Sequence, residues 1–258
     1  MNDFFVITGI SFLVSIASGI LGLGGAIILI PAYLYLPPLL GMHSLDIKTI
    51  SGITSIQVLA TSLIGTFAHN KSGNVNERLL YYIGLPMMLS ALGGALFSNI
   101  IDGKYVILAF ALMAITGAAL MFVKIKDQPS FVFAEELVFN KQAALISAVI
   151  VGFFGGIVGA PGAFLLAPIM ITILKIPVRT TIGSTLGIVL FTALTASIGK
   201  VMAGQVNFLL TFYAVSGSAP GVLLGSRISG RLEPKILRLS LAVIIIGIAI
   251  EMVFKVFY

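Results

Sequence analysis

The chain has 258 residues, 59% of them hydrophobic and 9% charged, with a mean hydropathy of +1.14 and a formal net charge of +6. Soluble domains carry roughly a quarter charged residues, so this balance excludes a water-soluble fold and identifies an integral membrane protein. No cysteine is present, which excludes disulfides, thiolate metal sites and thiol catalysis; the bases are scattered through short loops, a pattern that offers no nucleic-acid surface.

The N-terminal "MNDFF" carries an acid and no basic region, so the first apolar segment is expected to be retained and not cleaved as a signal peptide. The apolar run from 4 to 42 would make a helix of about 58 Å at 1.5 Å per residue, against a hydrocarbon core of about 30 Å, so it must fold back on itself. The stretch "GILGLGGAIILIP", 19–31, marks the break. Uncharged runs follow at 49–68, 79–101 and 105–123, each about the length of a bilayer-spanning helix. The polar interval 124–141 is linker-sized. A second long run, 142–174, holds "GIVGAPGAFLLAP" at 156–168, and further spans are expected at 180–199, 206–226 and, interrupted by Arg238 and Glu251, 236–257.

A shift of 137 places Gly19, Gly22, Gly25, Ala26 and Pro31 on Gly156, Gly159, Gly162, Ala163 and Pro168. Beyond a connection six residues longer in the first half, a shift of 131 places Gly52, Thr54, Asn76, Leu79, Tyr82 and Gly94 on Gly183, Thr185, Asn207, Leu210, Tyr213 and Gly225. The chain therefore reads as two repeats, 1–126 and 127–258. If each glycine stretch tips a hairpin, every half contains a hairpin plus three crossings, and the odd count inverts the second half. Loop charges favour this arrangement. It gathers eleven bases (71, 78, 124, 126, 141, 175, 179, 227, 231, 235 and 238) on one side and leaves four (48, 104, 200 and 255) on the other, whereas single crossings divide them seven to eight. Basic loops face the cytoplasm, so both termini are expected outside it.

The tips "GLGG" and "GAPG" contain no polar side chain, which is unusual for a turn in water and consistent with a turn held inside the membrane. Glycine reaches turn conformations without a Cβ clash, and Pro161 ends a helix by lacking an N–H. The arm after each tip would then present free N–H groups and a positive dipole end, an anion site built from Gly22, Gly24, Gly25, Gly159, Pro161 and Gly162. Alternatively, the glycines serve close helix packing, as small residues do in membranes. Matching polar elements occur in the next helix of each half: Thr54, Ser55 and Gln57 in the first, Ser184 and Thr185 in the second. Their hydroxyls either bond preceding carbonyls or complete the site, while a buried amide at Gln57 is costlier and points to a cavity. His69 and Lys200 fall on equivalent positions at the ends of those helices, as interfacial anchors or as positive groups at the mouth of an anion pathway. Arg227 reads as an interface residue. Glu251 has no acidic counterpart and is not assigned a proton-carrying role.

The paired glycine segments followed by Pro, the Thr-Ser elements, "HNKSGNVN", "GKVMAGQVN" and "GVLLGSRIS" together resemble the TauE/SafE sulfite exporter family over essentially the whole chain. The chain departs from the family pattern at "GST", 183–185, and at the proline of "GAPG". The resemblance implies movement of sulfur-containing anions such as sulfite, sulfonates or sulfoacetate, and a multi-pass location in the plasma membrane. The expected fold is an all-α membrane protein of two inverted repeats, each a glycine-tipped broken-helix hairpin plus three transmembrane helices. The expected function is export of a small anion by alternating access, with an anion channel or an uptake permease for another organic anion as rivals. An enzyme is disfavoured: His43 and His69 are the two histidines, and no metal-ligand spacing or cofactor motif occurs. The expected partners are a small anion and the lipid bilayer, with a homo-oligomer allowed by the sequence.

Overall fold

The computed structural model describes residues 3–21, 25–70, 76–123, 139–160, 162–229 and parts of 231–250. The described residues form helices α1 (Asp3–Leu21), α2 (Ala26–Leu39), α3 (Ile47–Asn70), α4 (Glu77–Ile100, with a π-helical turn at Leu80–Gly84), α5 (Gly103–Met121), α6 (Lys141–Val158), α7 (Ala163–Thr172), α8 (Val178–Met202) and α9 (Phe208–Ser229), and helical residues recur between 236 and 250. Seven of them, all but α2 and α7, are long and apolar enough to cross a bilayer. Both long apolar runs break where the glycines stand.

The first arm of each hairpin is a full-length helix, 19 residues in α1 and 18 in α6, whereas the second arm is shorter, 14 residues in α2 and 10 in α7. The turns require glycine. Gly25 and Gly162, which the shift of 137 pairs, open α2 and α7 in left-handed conformations with φ of 86° and 70°. An L-residue side chain is disfavoured there by contact between Cβ and the following carbonyl oxygen. Further along, Asn76 and Asn207 act as equivalent N-caps: their Oδ1 atoms accept from the backbone N–H of Leu79 (3.2 Å) and Leu210 (3.1 Å).

Helix packing follows the small residues. α1 runs parallel to α9, and a Cβ on Gly217, Gly221 or Gly225 would collide in turn with the backbone carbonyls of Thr8, Phe12 and Ile16. α6 runs parallel to α4 in the same manner, with Gly152 against Met87, Gly156 against Ala91, and Gly94 against Phe153. Glycines one helical turn apart let the backbones touch, which is how helices associate where no hydrophobic driving force separates them from lipid.

Gly19 and Gly156 therefore belong to helix crossings, as the packing alternative expects. α3 and α8 lie side by side and antiparallel, since Gly52 near the start of α3 abuts Gln205 just beyond the end of α8, and the N–H of Asn76, past α3, donates to Ser184 Oγ near the start of α8 at 2.9 Å. These two helices are 61% and 78% buried across their apolar windows, against 39–50% for the other spans, so they form the centre. The periphery presents large apolar side chains outwards, among them Phe5, Leu13, Leu89 and Phe212, as a lipid-facing surface does.

Candidate functional site

The central helices are also polar ones. α3 buries Ser51, Thr54, Ser55, Gln57, Thr61 and Ser62; α8 buries Thr180, Thr181, Ser184, Thr185, Thr192, Ser197 and Lys200. Among the described residues no carboxylate is buried and Lys200 is the one buried cation. Several hydroxyls are satisfied within their own helix, as Ser55 on Gly52 O (2.9 Å) and Thr192 on Ile188 O (3.0 Å) are, so they cost little to bury.

The second hairpin tip rests on the start of α3. Thr54 Oγ1 lies 2.9 Å from Ile50 O and 3.1 Å from Gly159 O, and a Cβ on Gly159 would collide with Ser51. Thr54 and Gly159 are thus neighbours, while Gly162 packs against Val151 and Met87. Ser184 and Thr185 stand near the other end of the α3/α8 pair, Thr185 Oγ1 at 3.5 Å from Met170 Sδ, so the sequence-selected hydroxyls divide between two ends and do not meet at one point. Gly22, Gly24 and Pro161 lie outside the described residues, as does the side chain of His69.

Lys200, in the last turn of α8, is fully enclosed. Its Nζ donates to Ser98 Oγ (2.7 Å), Ile157 O (2.9 Å) and Gln205 Oε1 (3.0 Å), which accounts for all three ammonium protons. Ile157 is in the last turn of α6, so the ammonium caps the negative end of that helix and ties the hairpin to α4 and α8. The signal in the sequence was the charge alone; two of its acceptors come from 43 and 102 residues away, and the third, Gln205, from five residues on.

Sequence reasoning did not find the second polar cluster. Ser11 and Tyr33 share a hydrogen bond (2.7 Å), Tyr33 donates to Gln57 Oε1 (2.7 Å), and Gln57 Nε2 donates to Ser218 Oγ (2.5 Å), which itself donates to Ala214 O. The chain of bonds joins α1, α2, α3 and α9, and all four side chains are fully buried. Gln57 is the member that the sequence singled out. Ser11, Ser15 and Ser18 at i, i+4 and i+7 were a readable one-face pattern.

The described helices thus place a buried polar pair inside an apolar shell. The sequence pattern of the sulfite exporter TauE/SafE family matches residues 7–252, nearly the whole chain. The chain belongs to the TauE/SafE family. Similar proteins include the probable membrane transporter protein YunE of Bacillus subtilis, 22% identical over 270 residues covering 98% of each chain, and the probable membrane transporter protein YjnA of the same organism, 26% identical over 246 residues covering 91% of this chain and 94% of the relative. A probable membrane transporter protein of Xylella fastidiosa (strain Temecula1) is 25% identical over 257 residues, covering 99% and 97%. No solved structure matches. This TauE/SafE protein is accordingly a multi-pass membrane transporter, and its buried polar groups lie on helices that the family pattern spans.

Proposed function

We propose that this TauE/SafE transporter exports small sulfur-containing anions, sulfite, sulfonates or sulfoacetate, by alternating access between two inverted repeats, 1–126 and 127–258. The antiparallel α3 and α8, the paired left-handed glycines and the paired Asn76 and Asn207 caps support the repeat relation. The observation that carries the substrate class is the central pair itself. It offers buried hydroxyls and amides and, among the described residues, no buried carboxylate to repel an anion. Gly25, Gly159 and Gly162 shape the tips, and Thr54, Ser55, Gln57, Ser184 and Thr185 supply polar groups along the route. A cytoplasm-negative potential drives an uncoupled anion outwards by about 2.3 kcal/mol per charge per 100 mV.

Thermal unfolding of the purified protein against sulfite, sulfate, thiosulfate, sulfoacetate, taurine, small carboxylates and chloride tests the reading. A ligand of the folded state stabilises it by about 2.7 kcal/mol at a hundred times its Kd. The expected result is a rise in Tm confined to sulfur oxyanions and sulfonates. A rise with a carboxylate or a cation alone refutes the substrate class while leaving the architecture standing.

A further inference from the structure

The two shifts that pair the halves also reveal where they differ. Around the first tip, Ser11, Ser15 and Ser18 lie along one face of α1, Ser11 is linked through Tyr33 of α2 and Gln57 of α3 to Ser218 of α9, and every one is fully buried. Their counterparts by shift are Ala148, Gly152, Gly155, Met170, Ile188 and Met87. Each polar position answers to an apolar one. The equivalent crossing of α4 and α6 also brings in a hydroxyl, Ser90 against Gly152, but that hydroxyl is satisfied by Met87 O at 3.1 Å.

Two of the hydroxyls are also unused. Ser15 Oγ and Ser18 Oγ are buried without a hydrogen-bond partner, which is costly unless something else supplies one. Ser18 is directed at the start of α2: a Cβ on Gly25 would stand 3.3 Å from its Oγ. α2 is a 14-residue helix whose N-cap, Gly25, provides no side-chain bond, so its first turn presents N–H groups and the positive end of the dipole to that space. Ser15 stands against Gly221, one turn along α9 from Ser218. At the equivalent end of α7 a Cβ on Gly162 would meet Met87 Cε at 2.7 Å and collide with Val151, and the unpartnered hydroxyl of that tip, Ser51 Oγ, is pressed against Gly159.

We propose that the first tip holds an oxyanion site, in which the N-terminus of α2 and the hydroxyls of Ser15 and Ser18 receive the charged oxygens. The Ser11–Tyr33–Gln57–Ser218 chain frames it and keeps the Gln57 amide oriented. The second tip, filled by Met87 and Val151 and tied down by Lys200, is an anchor. The transporter thus binds one small oxyanion per chain, off the repeat axis. This rests on the anion-transport reading and adds location and stoichiometry to it.

Isothermal titration of the full chain in lipid nanodiscs with sulfite and with methanesulfonate tests the assignment. The expected result is one site per chain, with Kd raised at least about tenfold in Ser15→Ala/Ser18→Ala, by a smaller factor in Tyr33→Phe, and unchanged in Met170→Leu, at the counterpart of Tyr33. The unliganded double variant should melt no lower than the parent, because the removed hydroxyls bond to nothing; a structural role would lower its Tm. Two sites per chain, or a Kd indifferent to the serine and tyrosine variants, overturns this site while anion transport stands. Failure of the parent chain to bind either oxyanion overturns both. Tyr33→Phe carries the test by itself should the double variant not fold.

Discussion

Gly25 and Gly162 occupy paired positions with almost the same backbone angles, yet alanine should affect them unequally. Both would place an L-residue in the left-handed region, which costs about 1–2 kcal/mol. At Gly25 the new Cβ would meet Leu29 Cδ1 at 3.2 Å and Ser18 Oγ at 3.3 Å, ends of side chains that give by a few tenths of an ångström. At Gly162 it would collide with Val151 Cγ1 and stand 2.7 Å from Met87 Cε, within a helix pair already in backbone contact. Overpacking of that kind costs about 1–3 kcal/mol more. Gly25→Ala should therefore destabilise by about 1–2 kcal/mol and Gly162→Ala by about 2–5 kcal/mol. Reversible unfolding in mixed micelles, read by helix circular dichroism, measures both. Equal losses, or a larger loss at Gly25, would refute the claim that the second tip is the packed one.

Neighbouring glycines of α4 should separate as sharply: Gly93 has open space around its Cβ position and gains about 0.5–1 kcal/mol on replacement by alanine, whereas Gly94→Ala drives a methyl into the Phe153 carbonyl and should lower the yield of folded protein. Asn207→Ala should cost about 1 kcal/mol of unfolding free energy, and Asn76→Ala about as much, through loss of the N-cap bond. Because the chain lacks cysteine, single cysteines at 126 or 231 and at 48 or 104 report sidedness without background; the first pair should label from the cytoplasm and the second from outside, and the reverse pattern would overturn the orientation.

Much of the architecture was legible in the chain because hydropathy and helix rise set the span lengths, and glycine marks the two places where a run too long for the bilayer must turn. The same glycines hid two roles. Gly25 and Gly162 supply left-handed turns, while Gly19 and Gly156, a few residues earlier, serve helix contact, and spacing alone does not separate a turn from a crossing. The site was less visible. Tyr33 sits in an apolar run and counts as hydrophobic until its hydroxyl is seen between Ser11 and Gln57. Ser218 joins them only because α9 packs on α3, 161 residues along the chain from Gln57. Lys200 read as a boundary residue because two of its three acceptors, Ser98 and Ile157, are set by tertiary packing and leave no local trace.

The central claim is that this chain carries a small sulfur oxyanion across the bilayer. The most direct measurement is counterflow in proteoliposomes: vesicles loaded with unlabelled sulfite, labelled sulfite outside, and an imposed membrane potential. The account predicts transient accumulation of label, efflux accelerated by a potential negative on the cytoplasmic side, and loss of both in Gln57→Leu. Label that equilibrates without accumulating and ignores the Gln57 variant, or sulfite that does not move while a carboxylate or a cation does, would contradict it.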